Sequence, residues 1–186
     1  MIHRWVGLLI GVWLTGAALA ADVGGVLVPD NASVGGKDLV LNGAGVRSRM
    51  MFKVYVGSLY LTQKSSDLAA VLAASPRRIQ LNLLRDLTAD QFGDALVDGL
   101  KDNNSPAELA AIKTQTDQLV SIMKSFGQVK EKDVITLDFI DDATKIAING
   151  NARGSIPGAA FNAALTRIWL GDKPAQADLK KSMLGG

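Results

Sequence analysis

Arginine, lysine, tyrosine, carboxylate, amide and hydroxyl side chains are the groups that could do chemistry in this chain. Its 186 residues include no cysteine and one histidine, His3, which lies in a segment that we expect to be removed. Without either residue type, a thiolate nucleophile, a Ser-His-Asp triad and the usual zinc sites are excluded. Carboxylates alone could bind calcium, but Asp138, Asp141 and Asp142 lack the spacing of an EF-hand loop. The residues therefore predict no metal site and no cofactor.

Basic and aromatic residues around position 50 are the candidates for binding a ligand. Arg47 and Tyr55 are eight residues apart, a distance of roughly 26 Å along an unbroken strand. They can share a ligand only if the chain folds back at residues 48–50. Arg49 and Lys53 compete with Arg47 for the same role, and the sequence leaves open which of the three faces a cavity. The simplest alternative is a solvated Arg47 and a core Tyr55 whose hydroxyl reaches a backbone carbonyl.

The N-terminal twenty residues have the pattern of a secretory signal peptide. His3 and Arg4 precede an apolar run over residues 5–14, and residues 18–20 have the small-x-small pattern at which signal peptidases cut. The uncharged stretch is shorter than the ~20 apolar residues that a bilayer span prefers. We therefore predict a signal peptide over residues 1–20, a periplasmic or secreted location, and no stable membrane span after cleavage.

The rest of the chain, residues 21–186, suits a single domain, since domains usually contain ~100–200 residues. Lys and Arg total 20 against 18 Asp and Glu, a near balance that predicts neither nucleic-acid binding nor a field that steers the protein to membranes. An exported chain without cysteine depends on its own packing rather than on disulfides. Protein partners are not indicated by any pattern.

The first half of the chain has the features of short strands joined by turns. Valine and leucine pieces broken by glycine pairs predict short strands over residues 23–41. Residues rich in β-branched and aromatic side chains predict strands at 40–46 and 51–61. Residues 65–73 predict a short capped helix, and apolar-polar alternation over 77–84 predicts a half-buried strand.

The second half of the chain is mainly helical. Thr88 is the predicted N-cap of a helix over 89–101, and Ser105 with Pro106 begins one over 107–126. The remaining predicted elements are a hairpin over 134–148 and helices over 160–170 and 175–183. This order predicts an α+β fold, a mostly antiparallel sheet with helices packed on one face. A ligand cavity would then lie between the sheet and the helices.

Two neighbouring segments resemble the paired-strand signature of the chalcone isomerase-like superfamily. They are residues 43–47 (GAGVR) and 53–61 (KVYVGSLYL). The resemblance continues more weakly through residues 87–92, 154–158 and 169–171, and so covers nearly all of the chain after the predicted signal peptide. It implies an open-faced β-sandwich, which agrees with the α+β layout predicted from periodicity.

The resemblance also implies site residues. The superfamily contains enzymes that close a chalcone to a flavanone and non-catalytic members that bind fatty acids, and both use the arginine that corresponds to Arg47. Tyr55 stands where the enzymes have threonine and the fatty-acid binders have tyrosine. Where the enzymes have a tyrosine and an asparagine on the cleft helix, this chain has Phe92 and Gly99, and their late serine or threonine aligns with Asn162. Phenylalanine and glycine cannot supply the enzymes' hydrogen bonds.

These substitutions favour a binding protein over an enzyme. The leading hypothesis is an exported, cofactor-free protein that binds a fatty acid or similar small amphipathic acid through Arg47, Tyr55, Phe92 and Asn162, with no assigned catalytic residue. The alternative is an isomerase or lyase of unknown substrate, in which Arg47 stabilises an oxyanion and Tyr55 donates a proton. A third possibility is a structural envelope protein with a filled cleft.

The other conspicuous residues are predicted to have structural roles. Trp169 is interpreted as a core anchor on an apolar helix. The Met50-Met51 pair is interpreted as core gap-filling, with the lining of an adaptable pocket as the alternative. Arg77-Arg78 is interpreted as surface charge at the start of a strand. Arg85-Asp86 is interpreted as a solvated pair that contributes little to stability.

Overall fold

The computed structural model describes residues 20–186, so the predicted signal peptide lies outside the described residues except for Ala20. The strands are β1 (Ala20–Val23), β2 (Val26–Pro29), β3 (Asn31–Val34), β4 (Lys37–Arg49), β5 (Phe52–Leu61), β6 (Arg77–Leu83), β7 (Leu87–Thr88), β8 (Gln128–Val129), β9 (Val134–Ile140), β10 (Ala143–Ile148) and β11 (Asn151–Pro157). The helices are α1 (Leu68–Ala73), α2 (Ala89–Asn103), α3 (Pro106–Ala111), α4 (Lys113–Lys124), α5 (Ala159–Leu170) and α6 (Ala177–Met183).

Seven strands form one sheet in the order β11-β10-β9-β6-β5-β4-β3, and each neighbouring pair is antiparallel. Helices α4, α5 and α6 contact strands of this sheet, and α2 packs against α4 and α5. The β1–β2 hairpin contributes to a smaller core cluster that includes Val28, Val56 and Tyr60. The predicted α+β class, a mostly antiparallel sheet with helices packed on one face, is confirmed.

Strand β6 shows how alternation places residues on the two faces of the sheet. Ile79, Leu81 and Leu83 are buried, and the residues between them are half-buried, as the sequence predicts. Arg77 has the same parity as the buried set and is only 4% exposed. Its interpretation as surface charge is therefore wrong, because strand parity directs it under the helices. Arg78 projects from the opposite face of the sheet and forms an ion pair with Asp138 on the neighbouring strand β9.

The β4–β5 hairpin brings together residues that are distant along the strand. The chain reverses at Met50, whose φ of 56° is in the left-handed region, and Met51. This register places Arg47 directly opposite Tyr55. The fold-back that the sequence requires for a shared ligand is therefore present, and side chains of directly paired residues project from the same face of a sheet.

The predicted helix over 107–126 is in fact two helices. Helix α3 ends at Ala111, and Ile112, with φ −108° and ψ 13°, is the non-helical residue between α3 and α4. The single helix is predicted from an apolar stripe with a polar gap at Gln115 and Thr116, formed by Leu109, Ile112, Leu119, Ile122 and Met123. Thr116 donates its hydroxyl to the Ile112 carbonyl at 3.1 Å. Back-bonding of this kind competes with regular helical geometry and bends helices. The single helix was predicted because the stripe is only weakened at this position.

Strand β11 is an element that periodicity does not predict, because its residues are mostly small and polar. It lies at the edge of the sheet beside β10. A Cβ at Gly154 would lie 2.5 Å from Cδ1 of Ile122 on helix α4. Glycine at this position therefore allows α4 to pack closely on the edge strand.

Candidate ligand-binding site

A cavity of about 300 Å³ lies between the turn end of the β4–β5 hairpin and helices α2 and α5. This volume is at the lower end of the ~300–1,000 Å³ range of small-molecule sites. The apolar side chains in its wall include Val54, Phe92, Ala95, Leu96 and Ile168. The charged side chains in its wall are Arg47, Arg49, Arg85 and Asp86. The described lining therefore combines a hydrocarbon surface with three cations and one carboxylate.

Arg47 is the cation next to the buried tyrosine of this cavity. Its guanidinium carbon lies 5.6 Å from the centroid of the Tyr55 ring, within cation–π range. Its Nε is buried and has no hydrogen-bond partner among residues 20–186. Arg47 also takes part in none of the ion pairs found in this range. A buried, unpaired donor is costly unless a partner binds it, so Arg47 has capacity to receive an anion.

Tyr55 is held in a defined orientation by Trp169. The indole Nε1 of Trp169 donates a hydrogen bond of 2.9 Å to the Tyr55 hydroxyl oxygen. In this bond the hydroxyl is the acceptor, so its hydrogen is still able to be donated to a ligand. Burial raises the pKa of Tyr55 above its usual value of 10.0, and the opposing effects of Arg47 and Trp169 are smaller. Tyr55 is therefore a neutral hydrogen-bond donor at physiological pH.

Phe92 is placed in the cavity by the start of helix α2. Thr88 caps this helix as predicted, accepting a hydrogen bond from the Gln91 N–H at 3.2 Å, while the Gln91 side chain accepts from the Thr88 N–H. Phe92 and Leu96 are one helical turn apart and face the same wall. Phe92 can offer apolar contact but no hydrogen bond. Its predicted ligand-binding role stays a prediction.

Asn162 lies outside the lining of this cavity. Its side-chain oxygen accepts a hydrogen bond from the Thr144 hydroxyl at 2.6 Å, and its backbone carbonyl accepts from the Arg77 guanidinium at 3.3 Å. Asn162 thus belongs to a buried network between helix α5 and the sheet. The structure does not bring it together with Arg47, Tyr55 and Phe92, and we omit it from the site proposed below.

Gly99 is also separate from the cavity lining. A Cβ there would lie 2.8 Å from Cγ2 of Ile168, so the residue allows helices α2 and α5 to approach each other.

The structure distinguishes the three cations that the sequence leaves open. Arg47 and Arg49 line the cavity, whereas Lys53 is exposed and does not. Arg49 is itself exposed at the cavity mouth. Arg47 is half-buried, so it is the inner cation and Arg49 an outer one, because a partly desolvated charge interacts more strongly with an anion than a solvated charge does.

Arg85 is a further cation of the cavity wall that the sequence did not indicate. Its guanidinium carbon lies 5.1 Å from the centroid of the Phe52 ring. Asp86 instead accepts a hydrogen bond of 2.8 Å from the Glu131 backbone N–H. No ion pair between Arg85 and Asp86 is found within residues 20–186, so the predicted pair is wrong. Arg85 follows the end of β6, which lies beside Tyr55 of β5. Its place near Tyr55 could have been predicted only if the strand order were known.

Two other predictions have mixed outcomes. Trp169 is buried in the core as predicted, but it also lines the cavity and binds Tyr55. Met50 and Met51 are 91% and 92% exposed, so their interpretation as core gap-filling is wrong. Met50 instead lines the cavity, in line with the alternative, and Met51 does not. They occupy the hairpin turn, where no element packs over them.

Two further observations concern the described part of the chain alone. Within residues 20–186, no three His, Cys, Asp or Glu side chains are grouped closely enough to hold a metal ion. The helices of this range are all too short or too polar to cross a membrane.

Comparison with known proteins identifies the family. The model of the chalcone isomerase-like family matches residues 20–185, and the chain therefore belongs to this family. Among solved structures, it is similar to a fatty-acid binding protein from Arabidopsis thaliana, with a TM-score of 0.67 and 16% sequence identity. The similarity covers 86% of this chain and 92% of the plant protein. At this level of identity the similarity establishes a shared fold. No curated protein matches this chain significantly in sequence.

Proposed function

We propose that this protein binds a fatty acid or a similar small amphipathic acid, with its headgroup at Arg47 and Tyr55. The observation that carries the proposal is the unpartnered, buried Nε of Arg47 in the wall of an open cavity that also has an apolar wall. A guanidinium forms charge-assisted hydrogen bonds with a carboxylate that are about twice as strong as neutral ones. The neutral hydroxyl of Tyr55 adds a second donor beside it.

The tail of the ligand would lie along the apolar wall formed by Val54, Phe92, Leu96 and Ile168. Because the cavity volume is near the lower limit for small-molecule sites, we expect a preference among tail lengths. The similar plant structure is described as a fatty-acid binding protein, which agrees with this class of ligand. Together with the predicted signal peptide, the proposal is for an exported binding protein, periplasmic or secreted.

The alternative function, an isomerase or lyase in which Tyr55 transfers a proton, has less support. Efficient general acid–base catalysis needs a pKa near the working pH. Burial moves the pKa of Tyr55 further from neutrality. A hydrogen bond that holds a ligand has no such requirement. The structural-protein hypothesis requires a sealed core with a solvated Arg47, whereas the cavity is open and the Arg47 Nε is buried.

Calorimetric titration of delipidated protein tests the proposal. Saturated fatty acids of increasing chain length would be compared with their methyl esters, which keep the tail and lose the charge. We expect the acids to bind more tightly than the matched esters, by about ten-fold or more, because only the acids pair with Arg47. Arg47→Gln should remove this difference, and Arg49→Gln, at the exposed outer position, should largely keep it. Equal affinity for acids and esters would contradict the proposed site.

A further inference from the structure

The tip of the β4–β5 hairpin is an exposed apolar surface. Met50, Met51 and Phe52, which we call the hairpin tip, are consecutive and are 91%, 92% and 58% exposed. Among residues 20–186, the other large apolar side chain with high exposure is Leu27, at 70%, and it stands alone. Single exposed apolar residues are ordinary, but a contiguous group indicates a surface that contacts something.

The charges around the hairpin tip are mainly positive. Arg49 precedes it and Lys53 follows it, and both are exposed. The Arg85 guanidinium lies over the Phe52 ring. Asp86 is the carboxylate among the described cavity-lining residues, and the Glu131 N–H holds it. Apolar side chains bordered by cations complement the surface of an anionic bilayer, where phosphates meet hydrocarbon.

The hairpin tip is continuous with the mouth of the ligand cavity. Met50 and Phe52 belong to the hairpin tip and also line the cavity. Arg49 and Arg85, which border the tip, line the cavity too. A bilayer in contact with the tip would therefore face the cavity opening. A lipid-soluble ligand could then move between bilayer and cavity with little of its tail exposed to water.

We propose that the β4–β5 hairpin tip docks on anionic phospholipid bilayers and loads or unloads the cavity there. This inference rests on the proposed function, because its purpose is transfer of an amphipathic acid. The near-neutral net charge of the whole chain does not oppose it, since docking uses the local charge at the tip. Met51 and Lys53 make the proposal separately testable, because neither lines the cavity.

Flotation with vesicles tests the docking step without ligand. The vesicles would be of phosphatidylcholine alone or of equimolar phosphatidylcholine and phosphatidylglycerol. We expect the protein to float with the anionic vesicles, and the bound fraction to fall about ten-fold in Met51→Ser and about five-fold in Lys53→Ser. Leu27→Ser and Lys145→Ser, at exposed positions outside the tip and the cavity lining, are the matched controls and should bind as wild type.

Transfer and affinity measurements separate this proposal from the proposed function. Met51→Ser should keep the wild-type affinity for the acid in solution but transfer it more slowly from anionic vesicles. If the wild-type protein did not bind the acid in solution, the proposed function would be refuted. The flotation result would still decide whether the tip docks on bilayers. Docking is refuted if flotation does not depend on phosphatidylglycerol and Met51. It is also refuted if sedimentation shows that Met51 instead mediates dimers or binding to another protein.

Discussion

Two arginines on the helix-covered face of the sheet, each with a buried Nε, have different roles. Arg47 pairs with Tyr55 at one end of β5, and Arg77 pairs with Leu61 at the other end. The Nε of each is buried without a hydrogen-bond partner in the described range. An unpaired buried atom alone therefore does not identify a ligand site.

The remaining donors and the surrounding space make the difference. The Nη groups of Arg77 donate to the carbonyls of Leu72, Ala74 and Asn162 and to the Thr166 hydroxyl, at 2.9–3.3 Å. Its guanidinium also lies 4.5 Å from the centroid of the Phe139 ring. Arg77 is thus bound by the protein itself. Arg47 lies in a cavity wall, so its charge is available to a molecule from outside.

The largest expected effect is on stability, from replacing Arg77. Arg77→Ala removes the donor from two buried and two partly buried acceptors, so we expect a loss of about 3 kcal/mol in the free energy of unfolding. Urea denaturation measures this loss. The neighbouring Arg78→Ala removes a partly exposed pair with Asp138 and should cost about 1 kcal/mol or less. A smaller loss of stability for Arg77→Ala than for Arg78→Ala would contradict the structural role of Arg77, and with it the contrast between Arg77 and Arg47.

The second expected effect is on ligand affinity, from replacing Arg47. Arg47→Gln should weaken binding of a fatty acid by about 10- to 100-fold, because a charge-assisted hydrogen bond contributes ~1.5–3 kcal/mol. Stability should change by less than about 1 kcal/mol, since no protein partner of the Arg47 Nε is lost. Titration calorimetry and urea denaturation of the same variant check both parts. A large loss of stability with unchanged affinity would make Arg47 a structural arginine like Arg77.

A smaller effect on affinity is expected from Tyr55. Tyr55→Phe removes the hydroxyl and should weaken binding by about five-fold, the contribution of one neutral hydrogen bond. It also leaves the Trp169 indole N–H without its acceptor, so stability should fall by ~1–2 kcal/mol. Tyr60→Phe is the matched control, because the Tyr60 hydroxyl donates to the Pro29 carbonyl in the other core cluster. That control should lower stability and leave affinity unchanged.

The last effect is absent at neutral pH and is confined to alkaline pH. Burial raises the pKa of Tyr60 to about 12, above the value of 10.0 in an unfolded chain. As pH rises, the unfolded chain loses this proton first, so the contribution of Tyr60 to stability is intact below pH 10 and is lost between pH 10 and about 12. Urea denaturation across this window should show a steeper decline for wild type than for Tyr60→Phe. Parallel declines would contradict the burial of the Tyr60 hydroxyl.

Local signals in the sequence predicted many of the elements. The caps at Thr88 and Ser105, the alternation in β6 and the hairpin at residues 134–148 depend on residues within a few positions of one another. Two features were not predicted. Strand β11 is stabilised by tertiary contacts, pairing with β10 and packing of α4 against it. The break at Ile112 divides one predicted helix into two, and it lies one turn before the Thr116 hydroxyl that bonds the Ile112 carbonyl.

By itself, the sequence determined that alternate residues of β6 project from opposite faces of the sheet, because side-chain direction in a regular strand follows from parity. It also indicated Arg47 and Tyr55 as a pair, subject to a turn that the structure contains. Only the tertiary structure decided what each arginine meets on that face. The Arg77 guanidinium binds backbone carbonyls just after α1 and in α5, whereas Arg47 lies in a cavity wall. The difference arises because packing between distant elements is set by the whole core and not by the residues around either arginine.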